Sequence, residues 1–351
     1  MYKKIGVKDI AAYANVSIGT VDRVIHERGE VSIKTATRVK DAISQLGYKP
    51  NLIARSLATK NAYTLAVLLP NSKDANDYWH YPIVGIKQAV AEISDHGINI
   101  KFYFFDLNSK KDFLEQSAKL ISDNPEVVIT APMFDEYHSE VFQRFDENNI
   151  KYVLIDSDLA NSSRISFVGQ HTERSGRVAG RLMCSLLNSN ENTLIANILS
   201  GSDITPVIQK RIQGFRNYML EERPFSVTSE VNLPVDIKES EVLVDLIISK
   251  KIKGIFVPGS RSHVVSNYLD KRNMGSIKII GYDLIEKNIQ DLKDGKIDFI
   301  ISQRPVKQGY HGVMRLFDYL IKKKSDQENI LLPIDIIMKE NVDDYLSSIK
   351  L

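Results

Sequence analysis

Apolar residues in the first fifty positions fall at helical spacing. Val7, Ile10, Val16, Val21, Val24, Val39, Ile43 and Leu46 form the expected core of three helices predicted over 8–14, 17–26 and 32–46. Ser17 and Ser32 stand where an N-cap oxygen can accept a helix N–H. Gly47, and then Pro50, mark the stop of the third helix. From Tyr63 the pattern changes to apolar runs separated by amphipathic segments. The runs are TLAVLLP, INIKFYFFD, VVITAP, YVLIDSD and SFVG, then TLIANILSG, VTSEVNL, GIFVPG, IKIIGYD and FIISQRP. Helices are predicted between them, for example over 82–96, 111–124 and 139–148. This alternation predicts parallel sheets with helices on both faces, and two sets of about five strands predict two similar lobes. No short-period repeat or low-complexity segment interrupts it.

The 351 residues suit two or three packed units, and 43% hydrophobic with 26% charged residues is the mix of a soluble globular protein. No apolar run approaches the ~20 residues needed to span a bilayer, so no membrane partner is expected. The opening MYKKIGVKDI has two lysines but no apolar core, so no secretory signal is read and a cytoplasmic location is expected. The lone Cys184 gives no intramolecular disulfide and no metal site of its own. The net charge of +2 hides an asymmetry: residues 1–60 carry eleven Lys/Arg against five Asp/Glu, a charge of +6, and the rest carries −4. A basic head on a slightly acidic body fits an anionic partner for the head, or a merely solvated surface.

Two short helices joined by ANVS fit a helix-turn-helix, in which the second helix enters the major groove. Its outward residues would be Ser17, Ile18, Gly19, Thr20 and Arg23. Arginine can bond guanine O6 and N7 bidentately, whereas serine and threonine donate to phosphates and fix register. Glycine inside a helix costs about 1 kcal/mol relative to alanine, and closer approach to a duplex would offset that. Each of these residues also reads as an ordinary exposed helix position.

The stretch VKDIAAYANVSIGTVDRVIHERGEVSIKTATRVKDAISQLGYKPNLIARSLAT resembles the DNA-binding head of the lactose-repressor (LacI/GalR) family over its whole length. The family pattern runs K-D-[VI]-A, V-S-x-x-T-V-S-R-V, V-S-x-x-T-R-x-x-V and L-G-Y-x-P-N-x-x-A-R-S-L. The chain departs at Asp22, where serine is usual, and in K-T-A-T-R-V-K, a slight respacing. An acid at 22 can accept from cytosine N4 or repel phosphate. The resemblance implies that PNLIARSLATK is a hinge helix ordered on operator DNA. Leu57, flanked by Asn51, Ala54 and Arg55, would wedge into the central minor-groove step. Such a wedge unstacks a step in return for a bent, better-wrapped site. On the residues alone, Leu57 reads as packing on the next domain.

The resemblance also implies a body folded like periplasmic sugar-binding proteins, with two lobes closing on a small ligand between the C-terminal ends of the strands. Those ends carry Asn71, Asp74, Asn76, Tyr78, Trp79, Asp106, Met133, Phe134, Asp156 and Asp158, and further on Arg211, Ser260, Arg261, Asp283 and Gln303. Carboxylates, amides and arginine beside flat aromatics suit paired hydroxyls and the apolar face of a sugar ring. Arg211 matches the arginine of R-x-x-G-[FW] and Asp283 the aspartate of G-[FY]-D, both implied to touch effector; Tyr78 and Trp79 match aromatics that stack on it. The expected effector-binding set is Asp74, Tyr78, Trp79, Phe134, Arg211, Ser260, Asp283 and Gln303. A strand-end aspartate can instead cap the next helix, and Trp79 can be core or subunit interface. His171 and Thr172 replace a common Asp-Asn pair, and Ser260 and Arg261 an Asn-Asp-like pair. The added arginine points to a sugar acid or sugar phosphate beside a plain sugar.

The chain has no G-x-G-x-x-G, Walker loop, G-x-S-x-G or H-E-x-x-H, and its histidines lack ligand spacing. No catalytic residue, metal or cofactor is expected. A secreted solute-binding protein would have a similar body but neither the basic head nor the missing signal. The expectation is an all-α helix-turn-helix DNA-binding head (1–49), a hinge (50–61) and an α/β effector-binding body (62–351) of two doubly wound parallel-sheet lobes. Lobe 1 is placed at about 62–168 and 305–332, and lobe 2 at about 169–302 and 335–351. The expected function is a ligand-responsive repressor of carbohydrate-metabolism genes, binding operator DNA as a homodimer. The alternative is a cytoplasmic sugar-binding or sugar-processing protein of the same body fold.

Overall fold

The computed structural model describes residues 6–25, 29, 31–46, 63–159, 161–199, 205–237, 241–323 and 328–349, with side chains for all of these except 135–139. Gly47 and Pro50, and the hinge positions Asn51, Ala54, Arg55 and Leu57, lie outside the described residues.

The head is three helices, α1 (Val7–Tyr13), α2 (Ile18–Ile25) and α3 (Ile33–Gln45). Ile10, Ala11, Ala14, Val21, Val24, Val39 and Ala42 form its core, with Val7, Val16, Ile43 and Leu46 packed at the edge. Both serines cap as their positions predict. Ser17 Oγ accepts the Thr20 N–H at 3.1 Å, and Ser32 Oγ accepts that of Thr35 at 3.3 Å. Between α1 and α2 the chain turns at Asn15, whose φ of 51° is a left-handed value that asparagine tolerates.

The body contains two six-stranded sheets. In chain order the first half runs β1 (Tyr63–Pro70), α4 (His80–Ile93), β2 (Ile98–Phe105), α5 (Lys110–Ser122), β3 (Val127–Thr130), α6 (Asp135–Glu147), β4 (Lys151–Ile155) and β5 (Ser166–Gly169). The second runs α7 (Thr172–Leu186), β6 (Asn192–Leu199), α8 (Pro206–Glu222), β7 (Thr228–Pro234), α9 (Val242–Ser249), β8 (Ile252–Phe256), α10 (Ser262–Asp270), β9 (Lys278–Tyr282), α11 (Glu286–Lys293) and β10 (Phe299–Ser302). Then come α12 (Pro305–Lys322), β11 (Ile330–Leu331), β12 (Asp335–Ile337) and α13 (Val342–Ile349). The sheet orders, β11-β5-β4-β3-β1-β2 and β12-β10-β9-β8-β6-β7, repeat one topology. The sixth strand of each sheet is two or three residues long, too short for a periodic signal, and β12 pairs antiparallel to β10, a departure from the all-parallel expectation.

Central strands are apolar on both faces because helices cover both. Leu65, Val67 and Leu69 face α4 and α12, where Ile86, Val313 and Leu316 are buried, while Ala66 and Leu68 face Phe113, Phe142 and Phe145. In the second sheet Leu194 and Ile255 pack towards α9 and α10, and Ile195 and Phe256 towards α7 and α8. The chain changes sheet three times, after β5, β10 and β11. Gln170 ties these passages together: its Nε2 donates to Ser302 O at 2.9 Å and to Pro333 O at 2.5 Å. Arg304 grips Asp335 with two bonds, of 2.6 and 2.9 Å.

Candidate functional site

A cavity of about 890 Å³ opens between the two sheets, at the C-terminal ends of their strands. Of the expected effector set, Tyr78, Trp79, Phe134, Arg211, Ser260, Asp283 and Gln303 line it. Asp74 does not. Its carboxylate accepts the Asn76 N–H at 2.7 Å, a local turn bond that holds the loop after β1.

Two aspartates dominate the inner wall. Asp156 follows β4 and Asp283 follows β9, the equivalent strand of the other lobe. Both hold left-handed backbone, at φ 64° and 68°, a conformation that persists only where neighbours over-determine it. They do: the Asp156 N–H donates to Gln308 Oε1 at 2.7 Å, and the Asp283 N–H to Ile301 O at 3.0 Å. Asn288 Nδ2 donates to Tyr282 O, Asp283 O and Ser260 O, so one buried amide shapes two cavity loops.

The carboxylates are partly provided for. Tyr78 Oη donates to Asp156 Oδ1 at 2.7 Å, and Gln303 Nε2 to Asp283 Oδ1 at 2.9 Å. Burial raises the pKa of Asp283 to about 6 against the pull of Arg211 and Gln303. Burial also raises Asp156, opposed by Arg211 and the Tyr78 bond. The Tyr78 hydroxyl is raised well above its ordinary value by burial and by the Asp156 charge, which keeps it a donor.

Arg211 supplies the opposing charge. It is 4% exposed, its Nη1 donates to Pro258 O at 2.7 Å, and its guanidinium lies 3.9 Å from the Tyr282 ring centre. Such stacking holds the planar group without consuming its remaining donors. Its helix is set by close backbone contact. A Cβ added at Gly176 would lie 2.1 Å from Arg211 O, and one at Gly214 2.0 Å from Glu173 O, so α7 and α8 cross with no side chain between them.

Further out, Asp77 and Arg261 attract each other across the cavity from opposite lobes. Burial raises the first pKa and lowers the second. Asn197 is 2% exposed, and its Nδ2 donates to Glu230 at 2.8 Å and to Asn232 at 2.9 Å. Sequence reasoning missed Asp77, Asn108, Lys110, Asn197 and Asn232 as cavity-lining residues. One signal was available: Asn197 interrupts the apolar run of a central strand. Asp158, considered beside Asp156, instead pairs with Arg164 at 2.9 Å. Trp79 lines the cavity but is 3% exposed, edge-on to Tyr78, so it serves the core as well. Among the described residues no group of three His, Cys, Asp or Glu could hold a metal, and no helix is long and apolar enough to cross a membrane.

On the head, Ser17, Ile18, Gly19 and Arg23 are exposed and Thr20 half-buried; Ser17 to Thr20 open α2 and Arg23 stands in its last turn. The Ser17 and Thr20 hydroxyls lie 2.9 Å apart. A Cβ at Gly19 would meet nothing closer than Ser17 Oγ at 3.8 Å, so the head's own packing does not require glycine there.

Residues 6–51 match the family model of bacterial regulatory proteins, lacI family, and residues 66–324 match that of the periplasmic binding protein domain. The sucrose operon repressor of Streptococcus mutans is 27% identical over 95% of this chain and 98% of its own. The HTH-type transcriptional regulator RegA of Clostridium saccharobutylicum is 32% identical over 151 residues, 43% of each chain. The crystal structure of a LacI transcriptional regulator from Bacteroides fragilis superposes with a TM-score of 0.74 at 31% identity, covering 81% of this chain and 100% of that one. The chain therefore belongs to the lacI family of bacterial regulatory proteins, with a helix-turn-helix head and a two-lobed periplasmic binding protein domain.

Proposed function

We propose that the protein is an effector-responsive repressor of carbohydrate-metabolism genes, acting in the cytoplasm as a homodimer and without catalysis. The observation that carries this reading is the inner cavity wall. Asp156 and Asp283, one from each lobe, flank Arg211 beside Tyr78 and Gln303, behind a lacI-type head. Such a set both donates and accepts, as paired hydroxyls require. The relatives are transcriptional regulators, which favours sensing over turnover.

A neutral sugar fits better than a sugar acid or phosphate. Arg211 already faces two carboxylates and Arg261 faces Asp77, so neither cation waits for an anion. The head, 1–49, would read operator bases through Arg23 and phosphates through Ser17 and Thr20, with Ile18 and Gly19 against the groove. The segment 50–61, with Asn51, Ala54, Arg55 and Leu57, would order on the operator. Effector binding in the body, 62–351, would shift one lobe against the other and change operator affinity. By linkage, operator would change effector affinity equally.

The test is a thermal-shift screen of the full chain against sugars, sugar acids and sugar phosphates. A neutral sugar should raise the melting temperature in a concentration-dependent way, and Asp283→Ala should remove the response. Stabilisation by sugar phosphates alone would contradict the neutral-ligand reading, and a retained response in Asp283→Ala would move the site.

A further inference from the structure

The helix α11 begins without a cap of its own. Its N-cap residue is Ile285, which has no side-chain oxygen. The first N–H groups of a helix have no partner within it. Here they are met from the other lobe. The Glu286 N–H donates to Ala75 O at 3.3 Å, and the Lys287 N–H to Asn76 Oδ1 at 3.1 Å. Asn76 Nδ2 also reaches Glu286 Oε2 at 3.5 Å. Ala75 and Asn76 belong to the loop between β1 and α4, which Asp74 and the Tyr81 hydroxyl hold in shape through bonds to Asn76 N–H and Ala75 O.

We infer that Asn76 is a positioning residue that holds the two lobes closed by capping α11 in trans, and so sets effector affinity from outside the cavity. Asn76 does not line the cavity, but its neighbours Asp77, Tyr78 and Trp79 do. Glu286 lies three residues beyond Asp283. The bond therefore joins the loop that carries one cavity wall to the loop that carries the opposite acid. Opening the cleft leaves the Lys287 N–H without this partner, so the closed arrangement gains what a helix cap contributes. The same atoms would lend nothing to a lobe standing alone. The consequence for affinity rests on the effector reading above; the capping contact itself does not.

The test uses the full chain, wild type and Asn76→Ala. Single-residue amide exchange of the ligand-free protein should show the Lys287 amide exchanging about fivefold faster in the variant, the size of a lost cap. Small-angle scattering should show a larger radius of gyration. Sucrose and D-ribose serve as binding probes: Kd for whichever binds should rise about fivefold, with the order of preference unchanged. The double substitution Asn76→Asp with Glu286→Gln keeps an acceptor for the Lys287 N–H and reverses the side-chain bond. It should restore slow exchange and affinity, which a merely structural role for the amide would not predict. Unchanged Lys287 exchange in Asn76→Ala overturns the inference, as does faster exchange with unchanged Kd. If neither sugar binds the wild type, the neutral sugar that most stabilises the full chain in the thermal-shift screen replaces them in the Kd comparison, while exchange and scattering decide the latch.

Discussion

Asp283→Asn should make the ligand-free protein more stable at pH 8 while abolishing its response to effector. Burial raises the Asp283 pKa from an ordinary 3.8 to about 6, although Arg211 and Gln303 oppose this. The folded state then binds a proton that the unfolded chain has released between those values, so folding stability falls as pH rises from about 4 to 6. The difference amounts to about 3 kcal/mol at neutral pH. Asparagine keeps the shape and an Oδ1 to accept from Gln303, which bonds the present carboxylate at 2.9 Å. The value of about 6 already sets the Gln303 bond and the Arg211 attraction against burial, so removing the charge should leave a gain of about 3 kcal/mol at pH 8. Urea unfolding of both proteins at pH 4, 6 and 8 measures this. The comparison cancels exposed groups such as Asp123 and Glu221, whose lowered pKa acts in the opposite sense. A variant less stable than wild type at pH 8, or a difference that does not change with pH, would refute the reasoning.

Other outcomes follow from the same geometry. Gln170→Ala leaves Ser302 O and Pro333 O without their donor and should lower stability by about 1–3 kcal/mol in urea titrations; an unchanged midpoint would mean the three passages are held by other contacts. Gly176→Ala forces apart two helix backbones, with a cost of about 1–3 kcal/mol and weaker effector binding as Arg211 moves. A calorimetric titration with unchanged Kd would detach Arg211 from that crossing. Arg23→Ala should relax base preference in a selection from random duplexes while lowering affinity, and an identical selected sequence would remove it as a base reader.

The parts of the fold that long-range packing rewards were visible along the chain. Ten apolar runs became strands β1 to β10, the central ones burying both faces while the edge strands β2 and β7 stay partly exposed, and α2 and α3 of the head appeared at their capping serines. The antiparallel β12 was hidden: three residues cannot carry a period, and their direction depends on where the passage after β11 returns. At the site, Arg211 was legible through its motif and Asp283 through its motif and its place at a strand end. Asp74 read like a ligand contact because local turn capping and ligand binding favour the same residue at the same place. Asp77 and Asn108 sit in loops whose path no periodicity encodes. Their part in the cavity emerges only when two sheets face each other.

The central claim is that a small ligand in the cleft controls DNA binding by the head. Fluorescence anisotropy with a duplex selected by the full chain, with and without the sugar that most stabilises it, tests this directly. Operator affinity should change by about 5- to 150-fold, the usual span of coupling between two sites, and Asp283→Ala should not respond. Tight, salt-sensitive DNA binding that no stabilising sugar alters in either direction would contradict it.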